Sequence, residues 1–244
     1  MIVPVLIVAF VATLVRSAFG FGEALIAVPL LAFWIPIREA APLALLFSMT
    51  VAIVVVVQDR KKIHLSSATW LVLATLPGIP LGMLLLTQGH PALVKAVLGA
   101  LILAFSLWCL SARRAPAIRG NGRGWLVACG FCAGVLGGAY AMNGPPLVLY
   151  GAMRRWPAPQ FRATLQAYFL PAGLFVAAGF WISGLWSSQV LHLYLFALPA
   201  LIPALVLETL INRRLRGDVF LRIVYLGLVI IGAVLVVQGL GARG

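Results

Sequence analysis

Charge is scarce in this chain, and acidic charge is nearly missing: five Asp and Glu and three His stand among 244 residues. Most of these groups fall at the ends of apolar runs rather than in clusters. That excludes the assembled nucleophile, base or metal-ligand sets on which an enzyme embedded in a membrane would depend, so neither a catalytic residue nor a metal site is expected. Cysteine is equally rare. Cys109, Cys129 and Cys132 lie within or beside apolar segments, which excludes a disulfide framework. Cys129 and Cys132 form a C-x-x-C, but there is no second pair and no His nearby, and the spacing alone does not make a metal or redox centre. A phosphate-cradling glycine loop is also missing, so no nucleotide-driven step and no cofactor are expected.

What the chain has in abundance is apolar surface. Hydrophobic residues make up 63% of it and charged residues 9%, with a mean hydropathy of +1.10. Val51–Val57 and Leu226–Val237 carry no charge at all. Segments of about 20 apolar residues match a hydrocarbon core about 30 Å thick, so the composition implies an all-α, polytopic membrane protein with the lipid bilayer as its main partner; the expected location is the cell (inner) membrane. The net charge of +13 does not indicate nucleic-acid binding, because the 18 Lys and Arg gather in loops between apolar runs rather than along one soluble face. The N-terminus has no charged n-region and no small-x-small cleavage site, and Ile2–Phe19 therefore reads as part of the mature protein.

Hydropathy places apolar segments at approximately 2–19, 23–36, 40–57, 68–87, 92–111, 124–139, 145–153, 163–184, 190–211 and 219–239. The short ones flank two glycine-rich breaks, Arg16-Ser-Ala-Phe-Gly-Phe-Gly-Glu23 and Gly137-Gly-Ala-Tyr-Ala-Met-Asn-Gly-Pro-Pro146. If each broken pair were one span, the basic loops would alternate sides and show no bias. If each dips in and returns, six spans remain. Fourteen Lys and Arg, among them Arg60, Arg113, Arg154 and Arg213, then share one face, while Arg38, Lys95 and Arg243 lie on the other. The second threading satisfies the positive-inside rule, with both termini outside. Each half becomes one broken helix or hairpin plus three transmembrane helices, and because three is odd the halves enter the membrane as two inverted repeats. The boundaries are 1–112 for the first repeat, 113–123 for a cytoplasmic linker and 124–244 for the second. Faint correspondences support the duplication: Val28-Pro-Leu-Leu31 with Pro146-Leu-Val-Leu149, and Pro77-x-x-Pro80 with Pro199-x-x-x-Pro203.

Broken helices in lipid expose amides and carbonyls that cost several kcal/mol each unless satisfied, so paired breaks point to a binding site between the halves. A helix starting after Gly22 and another at Asn143, with Pro145 in its first turn, would turn N–H groups and positive dipole ends toward a small anionic substrate. Asn143 is a good N-cap residue. Gly20, Gly22, Gly137, Gly138 and Gly144 would let a ligand approach the backbone, or would serve tight helix packing. Arg16, with Ser17 beside it, lies inside an apolar run, where a lone cation costs at least about 2.5 kcal/mol. Its partner is either Glu23, as a structural pair, or the substrate, with Glu23 carrying a coupling proton; in a shallow hairpin it would instead snorkel to the headgroups. Gln166 and Tyr168 sit one turn after Arg162, where they face the site or pack. Glu208 reads as an interfacial carboxylate, His64 as solvated, and the Trp residues at segment ends as interfacial anchors.

The two halves resemble the sulfite exporter TauE/SafE family. The likeness is carried by Gly20-Phe-Gly-x-x-Leu-Ile-x-Val-Pro-Leu30, by Asp59-Arg-Lys-Lys-Ile-His64, by Gly134-x-x-Gly-Gly138 with Asn143-Gly-Pro-Pro-Leu-Val-Leu-Tyr150, and by Phe161-Arg-Ala-Thr-Leu-x-Ala-Tyr168. Glu23 stands where a small residue is commoner in that family, and Asn143 where a Thr or Gly is usual. The resemblance implies a secondary transporter that exports sulfite or an organosulfonate by alternating access. An anion channel is the rival expectation, and coupling protons and a homo-oligomer are left open as partners.

Overall fold

The computed structural model describes the backbone of residues 2–19, 22–58, 65–111, 122–211 and 218–241. Among them the chain is entirely helical: α1 (Ile2–Phe19), α2 (Glu23–Leu31), α3 (Ile37–Gln58), α4 (Leu65–Thr75), α5 (Gly78–Gln88), α6 (Pro91–Leu110), α7 (Arg123–Tyr140), α8 (Gly144–Met153), α9 (Ala158–Ile182), α10 (Ser188–Ile211) and α11 (Asp218–Gly241). Two of these, Pro91–Leu110 and Phe220–Gly241, are each long and apolar enough to cross a membrane. Ile2–Arg16, Ala167–Ile182 and Ser188–Ala204 are shorter apolar helices.

Two apolar runs are interrupted where the hydropathy reading has them continuous. The run 68–87 is not one straight helix: Ala68–Thr75 and Gly78–Gln88 meet at 43°, because Pro77 and Pro80 remove two helical N–H donors and their rings crowd the preceding turn. The run 23–36 is helical only to Leu31. Residues 32–35 then turn, with Trp34 and Ile35 donating to the Leu31 carbonyl, before Pro36 leads into α3. An apolar run records burial in lipid or protein, and hydropathy alone does not register such a turn.

Both glycine-rich breaks reverse the chain. At the first, Gly22 takes the left-handed conformation, with φ 89°, and the Glu23 side chain reaches back to Thr13 and Arg16 of α1. A straight helix would separate residues 13 and 23 by about 15 Å, so α2 must fold back along α1. At the second, Ala141 (φ 55°) donates its N–H to the Gly137 carbonyl, closing an αL-type cap, and Met142 donates to Leu136. Leu147 and Tyr150 of α8 then share a buried cluster with Cys129 and Ala133 of α7, which fixes α8 antiparallel to it. At nine and ten residues, α2 and α8 are each about 13–15 Å long, half a bilayer.

Packing repeats across the chain. α1 lies against α10 as α7 lies against α4 and α5, α3 packs on α9, and α6 packs on α11. The tightest approaches use glycine: Gly78 and Gly82 of α5 face α7 backbone around Phe131 and Val135, and Gly134 and Gly138 of α7 face α5 in return. α6 and α11 run antiparallel, with Gly99 set against Gly232 and Lys95 against Gln238. These small-residue contacts supply van der Waals packing where lipid offers no hydrophobic drive.

Candidate functional site

Arg16 is 4% exposed and Glu23 1% exposed, although both are ionisable side chains in an apolar bundle. They satisfy each other. Arg16 Nη1 donates to Glu23 Oε2 at 3.1 Å and to the Ser48 carbonyl of α3 at 3.2 Å. The Thr13 hydroxyl donates to Glu23 Oε1 at 2.8 Å. Of the partners expected for Arg16, the Glu23 carboxylate lies within hydrogen-bond distance, and the burial of Arg16 does not fit snorkelling. Isolated charges at this depth would be costly, so a pair with added hydrogen bonds is the form in which they persist.

The pair borders a cavity of about 40 Å³ between the two breaks. Arg16, Gly22 and Glu23 line one side, Met142, Asn143, Gly144 and Pro145 another, and Ser48 of α3 with Phe169 and Gly173 of α9 add to the lining. That space suits a few waters or a small ion rather than a drug-sized molecule. The amides of the first turn of α2 have no intrahelical acceptor, and α2 begins at the cavity. α8 contributes less: Pro145 and Pro146 carry no N–H, and the donors it can offer there are those of Asn143 and Gly144.

Asn143 does not cap α8 with its side chain. Its Nδ2 instead donates to the Tyr168 hydroxyl of α9 at 3.2 Å, and that hydroxyl lies 2.9 Å from Thr75 Oγ1 at the end of α4. The reason is local: Asn143 has helical dihedrals (φ −77°, ψ −16°) rather than the extended ones a capping side chain uses. Tyr168, fully buried, thus joins the cavity wall to the α4–α5 bend. Thr13, Tyr168 and Thr75 add hydroxyls to the site and Ser48 a backbone carbonyl; of these the sequence pointed only to Tyr168, since polar groups spread over four helices give no local spacing to read.

Arg16, Gly22, Glu23, Asn143, Gly144 and Pro145 therefore come together at one cavity. Gly137 and Gly138 do not line it. A Cβ on Gly137 would meet Asn143 Oδ1 at 2.6 Å, and one on Gly138 would strike the Ile79 carbonyl, so these two glycines serve close packing. Gly20 lies outside the described residues, as do His64 with the rest of the Asp59–His64 motif and most of the 113–123 linker; the side chains of Ser17, Gln166, Arg162 and Glu208 are likewise outside the description. Among the described residues no group of His, Cys, Asp or Glu could hold a metal ion, and Cys109, Cys129 and Cys132 are free thiols.

The family model described as sulfite exporter TauE/SafE matches residues 5–235 of this chain. No curated protein and no solved structure matches it.

Proposed function

The chain belongs to the sulfite exporter TauE/SafE family, multi-pass membrane proteins that are transporters rather than enzymes, and from that premise we propose that it is a secondary transporter exporting a small sulfur oxyanion or organosulfonate. The observation that carries the reading is the convergence of two chain reversals and one buried arginine on a single small cavity. Half-length helices that start at a cavity aim positive dipole ends and unpaired amides into it, which favours an oxyanion. Arg16 adds a fixed cation. Glu23 offsets it, so an entering anion has to compete with the carboxylate for the guanidinium; protonation of Glu23 would release Arg16 to the anion and couple the two.

Alternating access requires two halves able to rock about the cavity. The repeated packing, α1 on α10 and α7 on α4 and α5, supports inverted repeats over 1–112 and 124–244 joined by the 113–123 linker. The basic loops would then face the cytoplasm, where an inside-negative potential drives an anion outward by about 2.3 kcal/mol per charge per 100 mV. Efflux of radiolabelled sulfite and of short organosulfonates from proteoliposomes tests the reading. The intact chain should release at least one of them, with Arg16→Ala and Asn143→Ala slower by tenfold or more, about 1.4 kcal/mol. Equal flux in all three proteins removes the cavity from the transport path. Single-anion conductance without saturation would make the protein a channel.

A further inference from the structure

A second cavity, of about 660 Å³, opens at the other end of α2, where the 32–36 turn meets the C-terminus of α5, the N-terminus of α6 and the C-terminus of α11. Its lining includes Trp34, Arg38, Gly89, Lys95 and Gln238. By the threading above this is the face opposite the arginine-rich loops, and it carries very few cations. Two of them line one cavity. The Arg38 guanidinium caps α5, its Nε donating to the Leu86 carbonyl at 3.0 Å and its Nη2 to the Thr87 carbonyl. Its remaining nitrogen, Nη1, has no protein partner among the described residues. Lys95 Nζ donates to Gln238 Oε1 at 3.1 Å. Both acceptor sets are neutral, and among the described residues the sole ion pair is Arg16–Glu23, so within them neither charge at this cavity is in an ion pair; Glu39, which follows Arg38, has its Oε2 buried without a hydrogen-bond partner. The positive end of the α6 dipole adds to them, and the half-exposed Trp34 ring, edge-on to Phe33, suits the headgroup level.

We propose that this cavity is a second anion site, separate from the central one, that takes an oxyanion of phosphate or sulfonate type between Arg38 and Lys95. Two sources offer that group at a membrane face: the headgroup of an anionic phospholipid, and a free oxyanion in solution. A lipid phosphate would lie at the level of Trp34, and against an anionic lipid surface each Lys or Arg strengthens capture about fivefold.

The test uses delipidated full-length protein in detergent, compared with Lys95→Gln, with Gln238→Glu, which places a carboxylate beside Lys95 without changing side-chain size, and with Lys95→Arg. In one arm, native mass spectrometry follows retention of dioleoylphosphatidylglycerol against dioleoylphosphatidylcholine. In the other, melting temperature is followed in sodium sulfate against sodium chloride at equal ionic strength. A preference for the anionic lipid that falls about fivefold in Lys95→Gln and Gln238→Glu, and survives in Lys95→Arg, supports the site and identifies a headgroup as its occupant. A sulfate-specific rise in melting temperature with the same variant dependence supports the site and identifies a free oxyanion. If the intact chain and both charge-altered variants respond alike in both arms, the proposal is overturned. None of these residues touches the central cavity, so the result is independent of the sulfite assay.

Discussion

At the scale of single residues, the molecule turns on how it tolerates two buried charges. Replacing Arg16 by Leu leaves the Glu23 carboxylate with Thr13 as its remaining partner, and should lower stability by about 3 kcal/mol. Replacing both Arg16 and Glu23 by Leu should restore most of that loss, because no uncompensated charge remains. Thermal unfolding of the two variants in detergent checks the ordering; a double variant less stable than Arg16→Leu would contradict it. Tyr168→Phe removes the hydroxyl shared by Asn143 and Thr75 and should cost about 1 kcal/mol. Thr75→Val should cost a similar amount, and the double variant less than the sum, since both act on one hydrogen bond. The Arg16–Glu23 pair was legible in the sequence as one of three alternatives, because charges seven residues apart across a chain reversal can meet. The Tyr168 link was not, since its partners come from α4 and from the break before α8, far apart in the chain.

At the scale of elements, glycine decides how near two helices come. A methyl added at Gly82 would run into the Val135 carbonyl, and one at Gly134 into the Thr75 carbonyl, both rigid backbone. Gly82→Ala and Gly134→Ala should each lower stability by about 1–3 kcal/mol or more by forcing α5 off α7. Gly173→Ala should be nearly neutral, because its Cβ would rest 3.5 Å from the flexible Met49 side chain. Monodisperse elution and melting temperature separate the two classes, and equal behaviour at all three positions would refute the packing argument. Helix positions were legible almost throughout, because lipid-facing and core-facing sides of a membrane helix are both apolar and each run stands out from its polar links. Where α2 stops and where α4 gives way to α5 were not, because a turn inside protein leaves hydropathy unchanged.

At the scale of the whole molecule, the re-entrant threading places Arg123 and Pro157 on one face and Gly89 on the other. Single cysteines at these three positions, in a variant lacking Cys109, Cys129 and Cys132, should react with an impermeant maleimide from the same side at 123 and 157, and from the opposite side at 89. Labelling of 157 and 89 from one side would defeat the threading and with it the inverted halves. The sequence by itself determined that this is a helical membrane protein, where its apolar segments lie and that two of them break, because those properties follow from composition and from glycine and proline acting on the nearest few residues. Only the tertiary structure decided that the breaks fold back, that Arg16 is buried against Glu23, that Gly137 and Gly138 pack while Asn143 lines a cavity, and that Arg38 and Lys95 share a second one. Each of those outcomes depends on atoms brought together from distant helices, and the order of residues along one chain does not encode which helices become neighbours.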